Sequence, residues 1–251
     1  MDFNLTEEQR VFQNSVRNIA ENNLKKDNLK RAHDPNFPRD VAKLFAANGL
    51  MGITLPEKDG GQGGTLIDAV IAIEQVALVC PRSADVVQSG SFGPLRTFAE
   101  YASEYQKEKY LKKLLRGDIV IGLGMTEPNA GSAVTDLTTK AIPDGDGFRV
   151  SGSKVFTSNS PDADIFLVYV RYHDGLDGIG SVLMDTTMKG FSKGKPSKYT
   201  NGEEWCALYF DNVFIPQENV LLGPGGFKKQ IAGFNAERIG NTARSLAVGE
   251  F

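Results

Sequence analysis

Two short stretches of this 251-residue chain gather hydroxyls, amides and an aromatic ring in a way that suits a planar, polar ligand. The first is Leu123-Gly124-Met125-Thr126-Glu127-Pro128-Asn129-Ala130-Gly131-Ser132. Its apolar opening reads as a strand. Pro128, Asn129 and Gly131 then turn the chain, which clusters hydroxyls and backbone N–H groups at the strand's mouth. Such a cluster offers neutral donors to an anionic ligand; the alternative is an ordinary strand-to-loop transition. The second is Lys154-Val155-Phe156-Thr157-Ser158-Asn159. There Phe156 can pack against a ring while Thr157 and Ser158 bond its heteroatoms. The alternative is a core Phe with an exposed Thr-Ser edge.

Other chemistries lack their residues. Gly122-Leu123-Gly124 opens like a dinucleotide loop, but Glu127 holds the place of the third glycine and no βαβ pattern surrounds it. There is no P-loop, no His-Glu-x-x-His and no Gly-x-Ser-x-Gly. Two cysteines (Cys80, Cys206) and two histidines (His33, His173) supply neither a disulfide framework nor a zinc cluster, so no metal is expected. Trp205 and Cys206 beside a strand read as packing. Lys plus Arg total 28 against 31 Asp plus Glu, a net charge of -3, which gives nucleic acid or an anionic membrane little to hold. The most apolar stretch, Leu66 to Val79, is broken by Asp68 and Glu74 and is shorter than the roughly 20 residues of a spanning helix. The opening Met1-Asp2-Phe3-Asn4-Leu5 lacks a signal-peptide pattern. The expectation is a soluble, cytoplasmic protein in a reducing compartment.

Helices precede these stretches. Thr6 with Gln9 forms a capping box for a helix whose stripe is Phe12, Val16, Ile19 and Ala20. A second helix runs from about Arg39 to Asn48-Gly49. Thr65 and Asp68 open a third, apolar nearly all round and so expected at the domain centre. Ser103 and Gln106 open another, with Leu111, Leu114 and Leu115, ending at Gly117; Lys107, Lys109, Lys112 and Lys113 read as its solvated face. Past Asp118 the runs Ile119–Met125, Phe148–Phe156, Ile165–Val170, Gly180–Met184 and Ala207–Ile215 are β-like. Asp-Gly pairs at 144–145, 146–147, 174–175 and 177–178 set them off. This block is expected to be an antiparallel barrel or sandwich of about 100 residues. Gly223-Pro224-Gly225-Gly226 is a linker. A last helix with Phe227, Ile231, Phe234 and Ile239 at helical spacing runs to Phe251. Its lack of a cap suggests that the chain stops inside a domain, or that another chain covers it.

In order along the chain, five stretches resemble the acyl-CoA dehydrogenase family of flavoenzymes. They are Phe3-Asn4-Leu5-Thr6-Glu7-Glu8-Gln9; Gly49 to Glu57 with Gly60-Gly61-Gln62-Gly63; Gln106-Lys107-Glu108-Lys109-Tyr110-Leu111; Met125-Thr126-Glu127-Pro128 with Ala130-Gly131-Ser132; and Phe210-Asp211-Asn212-Val213 with Ile215-Pro216 and Glu218 to Leu221. The resemblance implies an α+β fold. An all-α N-terminal domain would cover residues 1–118, a flavin-binding middle β domain 119–222, and the first helix of an incomplete C-terminal helical bundle 223–251.

Carried over by residue, the resemblance implies that Leu123, Met125, Thr126, Gly131 and Ser132 line FAD. Thr126 would lie near the pyrimidine side of the ring, and Ser132 near the pyrophosphate and the CoA portion. Phe156 stands where the family usually has Trp, with Thr157 beside it, and Ser158 replaces the usual Thr on the flavin N5 side. Ala133 replaces a frequent acidic residue. Asn235 and Arg238, flanking Glu237, match the segment that meets the substrate. The family's chemistry needs a desolvated carboxylate to take the α-proton. Most members carry it in the C-terminal domain, and a minority carry it where Glu237 stands. Glu237 is thus the candidate base, with a solvated helix glutamate as the alternative.

The implied activity is α,β-dehydrogenation of an acyl-CoA in fatty acid metabolism. Electrons would pass to an electron-transfer flavoprotein, and the enzyme would be a homodimer or homotetramer. The family's remaining helices complete the FAD site, so the chain alone is expected to turn over slowly. A flavin monooxygenase or oxidase on the same scaffold is one alternative, against which Glu237 argues. A non-catalytic CoA-binding or assembly protein is another.

Overall fold

The computed structural model describes residues 4–251, so Met1, Asp2 and Phe3, on which the opening motifs partly rest, lie outside the described residues. Helix α1 (Glu7–Asn23) begins where Thr6 Oγ1 accepts from Gln9 N at 3.1 Å and Thr6 N donates to Gln9 Oε1 at 3.0 Å. This reciprocal cap satisfies two otherwise orphaned donors. Val16 and Ala20 are buried, with Phe12 and Ile19 packed beside them. A short α2 (Asn28–Ala32) precedes α3 (Arg39–Ala47), which ends as expected at Gly49 with φ +70°.

Helix α4 (Leu66–Ala77) has the Thr65–Asp68 cap and forms the centre of the helical layer. Its burial is not all round: Leu66 and Ile67, in the first turn, are 37% and 51% exposed. Next come α5 (Pro81–Ser91), α6 (Gly93–Tyr101), α7 (Glu104–Gln106), a π turn over Lys107–Leu111 and α8 (Lys112–Leu115). Lys107 departs from the solvated-face expectation, because its Nζ donates to Asp59 Oδ1 at 2.9 Å.

The sheet comprises β1 (Ile121–Gly124), β2 (Lys140–Asp144), β3 (Gly147–Ser158), β4 (Ile165–Arg171), β5 (Ile179–Asp185), β6 (Phe191–Lys193), β7 (Ser197–Lys198), β8 (Glu204–Pro216) and β9 (Val220–Leu222). Its order is β6-β8-β3-β2-β4-β5-β9, with β1 on β4 and β7 on β8. Most pairs are antiparallel, but β1–β4 and the short β2–β4 contact are parallel, which corrects the wholly antiparallel expectation. Parallel neighbours need a long crossover. The loop over 125–139 and the β2–β3 hairpin, inserted between β1 and β4, supply it. In β4, Ile165–Val170 are all buried, which is why that strand reads as an unbroken apolar run.

The last segment is two helices rather than one, α9 (Phe227–Ala232) and α10 (Phe234–Glu250), broken at Gly233. Helix α10 lies on α4 and α5 through Ala236, Gly240, Ala243 and Ala247, a stripe of small residues. A Cβ at Gly240 would come within 2.9 Å of the Phe92 ring, so the close approach depends on that glycine. Part of the expectation of an uncovered helix is thereby corrected. The side against α4 and α5 is buried, while Ile239, Leu246 and Val248 stay exposed.

Candidate active site

A cavity of about 350 Å³ lies between the sheet and the helices, within the range usual for small-molecule sites. Strand β1 and the residues after it bring Leu123, Met125 and Thr126 to its wall; β3 brings Val155, Phe156 and Ser158. From the helical side come Gln88 of α5, Gly93 of α6, and Glu237 and Asn241 of α10.

Phe156 owes its position to an irregularity. In a regular strand it would share a face with Lys154, which is 0% exposed. The pairing of β3 with β8 shifts register between Lys154 and Thr157, and Phe156 takes φ +55°, rare for a large side chain. Such a bulge re-aims side chains. Here it leaves the ring 57% exposed over the cavity. Trp205 backs it at 4.6 Å between ring centroids, and Tyr199 Oη donates to the Phe156 carbonyl at 2.9 Å. Trp205 therefore packs, as expected, but it packs on the site.

Behind Thr126 lies a buried ionic network. Lys154 Nζ donates to Glu127 Oε1 at 2.8 Å and to the Met125 carbonyl at 3.1 Å. Glu127 also accepts from the backbone N–H and hydroxyl of both Thr138 and Thr139. Burial alone pushes the Glu127 carboxyl up, yet the Lys154 charge and these donors outweigh it and hold it far below the usual range. Burial lowers the Lys154 ammonium, with Glu127 pulling the other way. Val155 N donates to the Thr126 carbonyl at 2.9 Å, so the network fixes the loop that presents Thr126.

On the opposite wall, Gln88 is 2% exposed and its Nε2 donates to Glu237 Oε1 at 2.8 Å and to Asn241 Oδ1 at 2.7 Å. Glu237 Oε2 is buried without a partner. Burial raises the Glu237 pKa above its ordinary 4.5, the Gln88 hydrogen bond opposing and the Asp85 charge adding to the rise. Glu237 thus lines the cavity with its Oε2 shielded from water and without a hydrogen-bond partner.

Not every expected residue joins this cavity. Leu123, Met125, Thr126, Phe156, Ser158 and Glu237 share its wall. Gly131 and Ser132 lie outside it on the exposed turn past Ala130. Thr157 is 1% exposed and points into the sheet, because the alternation that resumes after the bulge turns it inward. Asn235 and Arg238 are exposed and bond each other at 3.1 Å. Gln88, Gly93 and Asn241 were missed by the sequence reading. Asn241 follows Glu237 by four residues, the spacing of one helical face, and that was the available signal.

Gly93 takes φ +59°, and a Cβ there would lie 3.1 Å from Glu237 Oε2. Gly93→Ala is therefore expected to lower stability by about 1–2 kcal/mol from backbone strain and to displace the free oxygen. Thermal denaturation together with the pH titration of Glu237 checks this. Unchanged values in both would show that Gly93 leaves Glu237 alone.

Residues 6–118 match the family described as acyl-CoA dehydrogenase, N-terminal domain, and residues 122–213 match its middle domain. A short-chain-specific acyl-CoA dehydrogenase of Clostridium acetobutylicum is 32% identical over 255 residues, covering all of this chain and 67% of that protein. The acryloyl-CoA reductase (NADH) of Anaerotignum propionicum is 31% identical, covering all of this chain and 65% of that protein. Among solved structures, butyryl-CoA dehydrogenase from Megasphaera elsdenii aligns with a TM-score of 0.88 at 29% identity, over 100% of this chain and 68% of that one. A structure described as the electron transferring flavoprotein of Acidaminococcus fermentans aligns at 0.89 and 30%, over 100% and 67%. A glutaryl-CoA dehydrogenase from Mycobacterium smegmatis in complex with FADH2 aligns at 0.87 and 25%, over 97% and 62%. The chain spans about two thirds of the length of these relatives. Matched along both domains, and at 32% identity across its whole length, the chain belongs to the acyl-CoA dehydrogenase family.

Proposed function

We propose that this chain binds FAD and removes the α-proton and a β-hydrogen from an acyl-CoA thioester, leaving an α,β double bond. The observation that carries this reading is the pairing of Glu237 on the helical wall with Phe156, Thr126 and Ser158 on the sheet wall of one cavity. The residues fit the flavin: an exposed aromatic face held by a bulge, with two hydroxyls nearby that can bond a heterocycle's edge. When bound, FAD would supply the acceptor for the β-hydrogen, taken as a hydride. Phe156 and Trp205 would cover one side of that ring and keep water from it.

Glu237 would take the α-proton on Oε2, the oxygen without a partner. Gln88, holding Oε1, would fix the carboxylate's direction. Desolvation raises the proton affinity of Glu237 toward that of a useful base at neutral pH. Gly131, Ser132, Asn235 and Arg238 would meet the cofactor's or CoA's polar parts outside the cavity, where they are exposed. The division into units over 1–118, 119–222 and 223–251 belongs to the same proposal, as do an electron-transfer flavoprotein as acceptor and a homodimeric or homotetrameric assembly. The neighbour from Acidaminococcus fermentans supports the acceptor.

The test is anaerobic titration of the FAD-loaded protein with straight, branched and carboxylated acyl-CoAs. Bleaching of the flavin by at least one of them is expected. No bleaching by any, with FAD bound, would overturn the proposal.

A further inference from the structure

Beyond Glu237 the cavity wall does not become apolar. Along α10, Asn241 and Arg244 follow Glu237 at one and two turns, about 6 and 10 Å further along the axis. Across from them α5 presents Asp85, Gln88 and Ser89, which share one face at i, i+3 and i+4. Arg244 Nη1 donates to Asp85 Oδ1 across the gap between the helices. Arg82, behind Asp85, donates to Glu203 Oε1 at 2.6 Å, and Glu203 also lines the cavity. Gln88 commits its amide hydrogens to Glu237 and Asn241, and its Oε1 is buried with no donor.

We infer that the acyl group taken here is short and carries an uncharged hydrogen-bonding group, a hydroxyl or amide, about four bonds beyond the α-carbon. This rests on the dehydrogenase reading above, with the α-carbon beside Glu237. A plain aliphatic tail would take Asn241, Asp85 and Arg244 out of water while offering them no partner, and polar groups desolvated without a partner are costly. A terminal carboxylate would meet the carboxylates of Asp85, Glu203 and Glu237, while the guanidiniums of Arg244 and Arg82 are already paired with Asp85 and Glu203. A hydroxyl or amide can donate to Asp85 or Glu203 and accept from Asn241 or Arg244, so it offers this wall both a donor and an acceptor.

The test compares flavin reduction by 5-hydroxypentanoyl-, hexanoyl-, glutaryl- and octanoyl-CoA in the FAD-loaded protein. The hydroxylated thioester is expected to exceed hexanoyl-CoA by about tenfold in second-order rate constant, the worth of one net hydrogen bond. Glutaryl- and octanoyl-CoA should fall below both. Hexanoyl- or glutaryl-CoA equalling or exceeding the hydroxylated thioester would overturn the inference and leave the dehydrogenase reading standing. Bleaching by none of the panel would sink that reading instead. Joint replacement Asp85→Leu with Arg244→Leu should reverse the order in favour of hexanoyl-CoA; an unchanged order in the folded variant would also overturn it.

Discussion

Glu237→Gln is expected to slow reduction of bound flavin by acyl-CoA about 10²- to 10⁴-fold, the usual contribution of a general base. Acyl-CoA affinity should change little, because glutamine has nearly the same shape and its Oε1 can still accept from Gln88 Nε2. The rate in the unaltered protein should rise with pH as Glu237 loses its proton, with an inflection above the ordinary 4.5. In the variant that inflection should vanish. Stability supplies an independent check. A carboxyl whose folded pKa is raised binds its proton more tightly folded than unfolded. Stability therefore falls as pH rises from the unfolded value through the folded one, and the full penalty remains above it. Removing that charge should leave the protein at least as stable at neutral pH. Stopped-flow reduction across pH, beside thermal denaturation, decides between roles. A rate within tenfold of the original would mean that the proton goes elsewhere, and a large loss of stability would mark Glu237 as structural.

How much of this was legible follows from what each feature depends on. Caps are local, so Thr6–Gln9, Thr65–Asp68 and Ser103–Gln106 announced their helices. Strand β4 was legible because burial on both faces leaves an unbroken apolar run. Its parallel pairing with β1 was not, since pairing depends on where the chain returns. Helices α5 and α6 are joined through Gly93 at φ +59°, and neither stood out in the apolar pattern. The wall residues Thr126, Phe156 and Ser158 were found by residue type, but Thr157 shows the limit. A single bulge after Lys154 decides which of three consecutive side chains meets the cavity, and a bulge has no composition. Gln88 and Glu237 are 149 residues apart, and only the packing of α10 on α5 joins them.

The Lys154–Glu127 pair is the second large effect, on stability and on the loop that carries Thr126. Breaking a buried ion pair from one side costs about 3–5 kcal/mol, because the remaining charge stays buried without its partner. The two sides should differ. Lys154→Met leaves Glu127 with four donors from Thr138 and Thr139. Glu127→Leu strands an ammonium that is 0% exposed, with only the Met125 carbonyl to accept from it, orphans the Thr138 hydroxyl and leaves the Thr139 hydroxyl only a 3.4 Å bond to the Ser153 carbonyl. Glu127→Leu should therefore be the worse single change, and the double variant should be more stable than Glu127→Leu alone. Because Glu127 holds its proton far less tightly folded than unfolded, its contribution is present above pH 4.5. It is lost as pH falls toward about 2. The double variant should lack that acid-sensitive part. Denaturant unfolding of the four proteins of the cycle at two pH values measures the coupling, and FAD titration measures the displacement of Thr126. Single variants within about 1 kcal/mol of the original, with FAD affinity unchanged, would mean that the pair fills space without organising the loop. A coupling that persists while FAD affinity falls in step with it would tie the buried charge directly to the wall on which Thr126 sits.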